Sequence, residues 1–174
     1  MPTPTRHSSR RSEDFVAHPH LYRATVTWQC EADEDFARGR YSRRHLWHFD
    51  GGIALAASAS PLVVPKPWSV EDAIDPEEAF VASLSSCHML TFLDLARRAG
   101  FVVERYRDEA EGVMEKSDEG RYWISVVTLR PRIDFSDAGA PDTAESDRLH
   151  HAAHDNCFIA NSVRTEIRIE PAGR

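Results

Sequence analysis

An α+β fold, in which two helices cover a mainly antiparallel sheet, is what this 174-residue sequence predicts, and three observations predict it. Runs with the two-residue period of strands and runs with the 3.6-residue period of helices are segregated as three strands, helix, two strands, helix, strand, without the regular βαβ repetition of a parallel sheet. Both helical runs open on residues that satisfy helix N-termini, Asp75-Pro76-Glu77-Glu78 in one and Asp142 with Glu145 in the other. Turn-forming stretches, Asp50-Gly51 and Ser117-Asp118-Glu119-Gly120, separate consecutive strand runs. No internal repeat is present.

Residues 1–18 are expected to form a flexible tail, because Ser, Thr, Pro and Arg dominate there without a hydrophobic period. Residues 19–174 are expected to form one domain. Its first strands fall in LYRATVTW (21–28), YSRRHLWHF (41–49) and GGIALAAS (51–58), the last two joined at Asp50-Gly51. Four prolines, Pro61, Pro65, Pro67 and Pro76, then break regular structure and predict a connecting loop. Trp68 on that loop is suited to capping a cavity, and with Val63 and Val64 it suggests an apolar entrance. The first helix starts with a capping Asp75, Pro76 at its first position and acids facing the positive end of the dipole. It should run to about Ala99, with Gly100 as the stop and Phe80, Leu84, Thr91 and Leu95 near one face. Its many small residues let another helix approach closely, which marks a buried central helix. FVVERYRDEAEGVMEK and RYWISVVTLRPRIDF predict a long hairpin, Asp142 opens a second helix through about Asp155, and SVRTEIRIE alternates as a final strand.

Composition narrows the function. Hydrophobic residues make up 41% and charged residues 28%, ordinary globular usage. The net charge of -7 disfavours nucleic acid or an anionic membrane as the main partner and suits a small-molecule substrate. No apolar stretch is expected to span a bilayer and the N-terminus lacks the apolar centre of a signal peptide, so the expected compartment is the cytoplasm. Three cysteines, Cys30, Cys87 and Cys157, are too few for a structural disulfide framework there. A pairing among them would be redox chemistry.

Cys87 lies mid-helix in SLSSCHM and Cys157 just after the second helix in AHDNCFIANSV. Each alone reads as a small buried hydrophobe. Helices packed side by side would bring the two within the roughly 4.4 to 6.8 Å Cα separation of a disulfide. Histidine-rich spacing offers another use: His150, His154 and Cys157 recur at helical intervals and His88 adjoins Cys87, types that zinc accepts, although the pattern matches no established zinc motif.

Two segments together resemble one family. DPEEAFVASLSSCHMLTFL is similar to the first-cysteine segment of the OsmC/Ohr organic hydroperoxide reductases, and LHHAAHDNCFIANSV to their second-cysteine segment. The likeness spans roughly residues 20–171, with EGVMEK and VTLRPRI between the motifs. It implies a cysteine-based thiol peroxidase acting in oxidative stress, with Cys87 as the peroxidatic cysteine, Cys157 as the resolving one and Glu77 as the acidic partner of a catalytic arginine. It also implies an intertwined homodimer and no bound cofactor, an external lipoyl-type dithiol or small thiol serving as reductant. For the arginine the chain offers Arg38, Arg40, Arg43 and Arg44. Arg43 is favoured, on the strand the family uses, although alternation would send Arg43 and Arg44 to opposite faces. A non-enzymatic or metal-binding stress protein on the same fold is the alternative.

The residue types fit such chemistry. Only a thiolate attacks a peroxide, and a cysteine with an ordinary pKa near about 8.5 is mostly protonated at neutral pH. A guanidinium stays charged, and its planar fork can hold a carboxylate while facing a sulfur. Glu77 and Cys87 are ten positions apart, about 15 Å along a straight helix at about 1.5 Å per residue. They meet only if the helix breaks or if a partner chain supplies one of them.

Overall fold

The computed structural model of the chain describes residues 19–137 and 139–171; the expected tail over 1–18 lies outside them. The predicted order of elements holds: β1 Ala24–Thr27, β2 His45–Phe49, β3 Ala54–Ala57, α1 Pro76–Arg98, β4 Val103–Asp108, β5 Glu111–Lys116, β6 Tyr122–Leu129, β7 Pro131–Phe135, α2 Thr143–Asn156 and β8 Glu166–Ile169. The strands form three sheets, ordered β1-β2-β3, β4-β7 and β5-β6-β8. All pairings are antiparallel except β6 with β8.

Local chemistry explains the elements that place the site. Asp75 accepts from the Glu78 amide at 2.7 Å while the Glu78 carboxylate takes the Asp75 amide, a reciprocal cap that fixes where α1 starts. Gly100, at φ 88°, ends it. Asp142 caps α2 through the Glu145 amide at 2.8 Å. Between these ends α1 is one uninterrupted helix of 23 residues.

Three details differ from the sequence expectations. The second strand begins at His45, so Arg43 and Arg44 precede it and strand alternation does not orient them. The long hairpin turns where expected, with Gly120 donating to the Ser117 carbonyl at 2.8 Å, but each arm breaks midway into two strands. Asp108 sits at the break, accepting from the Arg130 amide at 2.6 Å and from Ser85 Oγ of α1 at 2.5 Å. One carboxylate thereby ties the bent hairpin to the helix. Finally, α1 is long and apolar enough, at a mean hydropathy of 1.4 in its best window, to meet the length and composition of a membrane span, contrary to the expectation that no stretch comes near. The core helix of a globular fold meets the same test, and α1 is packed between sheet and helix here.

Two apolar clusters divide α1 between them. Leu84 packs with Val127 and Leu129 of β6, with Val81, Ile159 and Ile167 around them. Two to three turns later Phe92 and Ala96 pack with Leu149 and Ala153 of α2 and with Tyr106, Ile133 and Phe135 of the β4-β7 pair. The fully buried positions are Leu84, His88, Phe92 and Ala96, at intervals of four, rather than the stripe through Thr91 and Leu95. Cys87 lies between the clusters. The β1-β2-β3 sheet stands apart, joined to the body where Ala57 bridges Ile74 and where the Arg43 amide donates to the Trp68 carbonyl at 2.8 Å. Val26, Trp28, Leu46 and Ile53 on and around it are exposed.

Candidate active site

The two cysteines predicted as a pair stand together at the seam of α1 and α2. Cys87 is half-buried on α1 and Cys157, at 1% exposure, is the residue that ends α2. Both are unbridged thiols. The turn after Cys157 wraps them: the Ile159 amide donates to Cys87 Sγ at 3.5 Å and the Ala160 amide to Cys157 Sγ at 3.4 Å. Burial pushes the Cys157 thiol up to about 11, and a hydrogen bond with Cys87 and the negative charge Cys87 would carry as thiolate add to the effect. Cys157 is therefore held protonated at neutral pH. Its S–H is available as a hydrogen-bond donor to Cys87 Sγ. Thr91 Oγ1 donates to the Cys87 carbonyl at 2.9 Å, and Leu90, one turn from Cys87, and Phe158, next to Cys157, expose apolar surface at 62% and 80%.

Arg43 and Glu77 do not join this pair within one chain. The Arg43 guanidinium lies 3.6 Å over the Tyr41 ring and donates to the Gly39 and Tyr41 carbonyls. Among the described residues it has no ion-pair partner. Glu77 sits in the first turn of α1, half-buried, and because the helix is unbroken Cys87 lies about 15 Å further along its axis. Glu77 instead faces a groove of about 1120 Å³ between α1, the proline loop and β5. Glu71, Asp75, Glu77, Glu78, Asp108 and Glu111 line it together with apolar groups, and no Lys or Arg does. Of the residues expected at an apolar entrance Val63 lines this groove, whereas Val64 and Trp68 do not. Arg38 pairs with Asp35 at 3.6 Å.

Beside the sulfurs the sequence held a feature read only as a possible metal site. His88 and His150 meet across the seam, Nε2 to Nδ1 at 3.1 Å with rings stacked 5° from parallel. Burial, ahead of the neighbouring histidines, lowers His88 to about 4, and burial lowers His150 to about 4 against the opposing pull of Asp147. Among the described residues no three His, Cys, Asp or Glu side chains stand together as metal ligands. The pairing of His88 with His150 was not foreseen, although their helical intervals from Cys87 and Cys157 carried the signal. The Ile159 amide left none, being a backbone group placed by a turn.

The fold and a paired-thiol site at a helix seam define a class, and the comparisons identify it. The OsmC-like protein family matches residues 69–172, and the chain belongs to that family. An OsmC-like protein of unknown function from Vibrio cholerae O1 is 49% identical, with 88% of this chain and 100% of that one covered and a TM-score of 0.86. At lower identity, organic hydroperoxide resistance proteins share the fold. That of Elizabethkingia anophelis is 17% identical with a TM-score of 0.68 over 90% of this chain and 99% of that one. OhrB of Bacillus subtilis is 16% identical with a TM-score of 0.60 over 88% and 98%. A search of curated proteins returned no match.

Proposed function

We propose that the protein is a thiol-dependent peroxidase that reduces organic hydroperoxides to alcohols in the cytoplasm. The observation that carries this is the juxtaposition of a half-buried Cys87 with a buried, protonated Cys157 under two main-chain donors. The Cys87 thiolate attacks the O–O bond, leaving a sulfenic acid and releasing an alcohol. Cys157 then attacks that sulfur: the S–S bond forms, the S–O bond breaks, and the departing hydroxide takes the thiol proton as water. A dithiol of lipoyl type or a small thiol restores both cysteines by exchange.

In this proposal the site is shared by two chains. The chain exposes 13539 Å², whereas a compact monomer of its mass exposes about 8,600 Å². The 22 residues outside the described range would account for at most about 3,600 Å² even if fully extended. The remainder, over about 1,000 Å², is of the size that one chain contributes to an obligate homodimer interface, which supports the reading. Charge points the same way. Of the groove's carboxylates Glu71 pairs with Lys66 at 2.6 Å and Glu111 with Arg130 at 3.1 Å, while Glu77 has no ion pair among the described residues and the outlying sheet carries Arg43 at its root. An unbroken α1 leaves a partner chain as the route by which Glu77 and Arg43 serve Cys87.

The apolar surface at Leu90 and Phe158 favours an organic leaving group. With a dithiol present, kcat/KM for cumene hydroperoxide should exceed that for hydrogen peroxide by at least roughly tenfold, the selectivity a desolvated apolar contact supplies. Equal values would remove the organic preference, and no turnover with either would end the peroxidase proposal.

A further inference from the structure

His88 and His150 take no part in the peroxide chemistry proposed above, yet they stand beside it. His88 follows Cys87 on α1, and His150 lies two turns before Cys157 on α2. They are 1% and 3% exposed, and Phe92 rests against the His150 ring at 4.5 Å between centroids. Their 3.1 Å contact requires one ring to donate N–H and the other to accept, and burial keeps both imidazoles neutral at neutral pH.

We propose that the His88–His150 hydrogen bond is a positioning device that fixes the register of α1 against α2 and thereby holds Cys87 within disulfide reach of Cys157. The inference rests on the two-cysteine chemistry above. Disulfide closure tolerates a Cα separation of only about 4.4 to 6.8 Å, while a slip of one helical residue moves a side chain about 1.5 Å along the axis and rotates it by about 100°. The apolar neighbours at the seam, Phe92, Ala96, Leu149 and Ala153, gain contact that depends little on direction and can repack after a small slip. An N–H···N bond cannot. Lengthened beyond about 3.5 Å it is lost, and two ring nitrogens are left buried without partners. Because His88 is covalently next to Cys87, whatever pins one pins the other. The Ile159 amide on Cys87 Sγ then seats the sulfur within the register already set.

A register error has a chemical readout. If Cys157 reaches the Cys87 sulfenic acid slowly, a second hydroperoxide converts that acid to sulfinic acid and is itself reduced to alcohol. Two double variants separate hydrogen bonding from shape. H88Q/H150N places amide groups near the positions of the lost Nε2 and Nδ1, whereas H88L/H150L fills the space with apolar atoms. Each is treated with an excess of cumene hydroperoxide, several equivalents per chain, and disulfide and sulfinic acid are quantified over time by mass spectrometry. Each is also treated with diamide, which closes a dithiol without any peroxide.

The polar pair should close the disulfide at a rate comparable with the wild type. The apolar pair should close it roughly tenfold more slowly with either oxidant, as expected for loss of one buried hydrogen bond, and should divert to sulfinic acid although its melting temperature is not lowered. Closure by the apolar pair at the wild-type rate overturns the proposal. So does a polar pair as slow as the apolar one, since shape alone would then set the register. If H88L/H150L does not fold, H150N and H150L give the same comparison, and equal rates again overturn it. A wild type that closes with diamide but never with hydroperoxide sinks the peroxidase function and leaves the positioning role standing.

Discussion

Cys87 and Cys157 are the same side chain in different surroundings, and the roles proposed for them follow from the difference. Burial and the neighbouring sulfur hold Cys157 at about 11, so at neutral pH it is a protonated hydrogen-bond donor. Substituting either should therefore give unlike defects. Cys87→Ser should abolish turnover, whereas Cys157→Ser should complete one sulfenic acid event and then stall or over-oxidise. Titration of thiols after one equivalent of hydroperoxide should show two lost in the wild type and one in Cys157→Ser; full turnover by Cys87→Ser would end the assignment. Gly112 makes a comparable demand on space. A Cβ there would lie 2.7 Å from Val81 Cγ2, and Val81 is a branched side chain on α1 that cannot swing clear cheaply. Gly112→Ala should push β5 off the helix and cost about 1–3 kcal/mol of stability, measurable by urea denaturation; an unchanged midpoint would show that the contact relaxes freely.

The seam between α1 and α2 joins the paired thiols to a titratable pair, and the second makes the seam sensitive to acid. His88 and His150 are lowered from 6.5 to about 4 in the fold. An unfolded chain takes up protons below about 6.5 that the folded chain refuses until about 4, so their neutral burial contributes stability that is fully present above pH 6.5 and is lost as pH falls towards 4. The loss is on the order of 1 kcal/mol per pH unit for each histidine in that window. Thermal unfolding at pH 7, 6 and 5 should show the decline in the wild type and a flatter profile in His88→Leu. Parallel profiles would mean that other groups govern acid stability. The Asp108 carboxylate has a different function, tying Ser85 of α1 to the Arg130 amide where the hairpin arms bend.

As a whole the chain exposes more surface than its mass accounts for, and its N-terminal sheet stands away from the rest. A homodimer that accepts that sheet would bury Val26, Trp28 and Leu46 and bring the Arg43 guanidinium to the groove that holds Glu77. Sedimentation should accordingly give a dimer at micromolar concentration. Mixing inactive Cys87→Ser with inactive Glu77→Ala chains, under conditions of subunit exchange, should regenerate one wild-type site per heterodimer. Verified heterodimers without recovered activity would refute supply across the interface, and a stable, fully active monomer would refute the dimer itself.

The order of elements, both helix starts, the Gly100 stop and the turn at Gly120 were legible in the sequence, because capping, left-handed glycines and hydrophobic period act over a few residues. Cys87 and Cys157 were legible only through resemblance, since 1% exposure at Cys157 and the approach of its sulfur to Cys87 are properties of helix packing. Alternation failed for Arg43 because the chain enters β2 only at His45, held until then by the Trp68 carbonyl and the Tyr41 ring. The long strands broke at Asp108 and Arg130 because a carboxylate there satisfies a strand amide and a serine of α1 together, a contact no local pattern encodes. The sequence by itself determined which segments would be helix, strand or turn and which residue types were available for redox chemistry. Tertiary structure alone decided that His88 meets His150, that the Ile159 amide reaches Cys87, and that the Arg43 guanidinium rests on Tyr41. Local propensity acts through neighbours along the backbone, whereas a site is assembled by distances between elements that only packing sets.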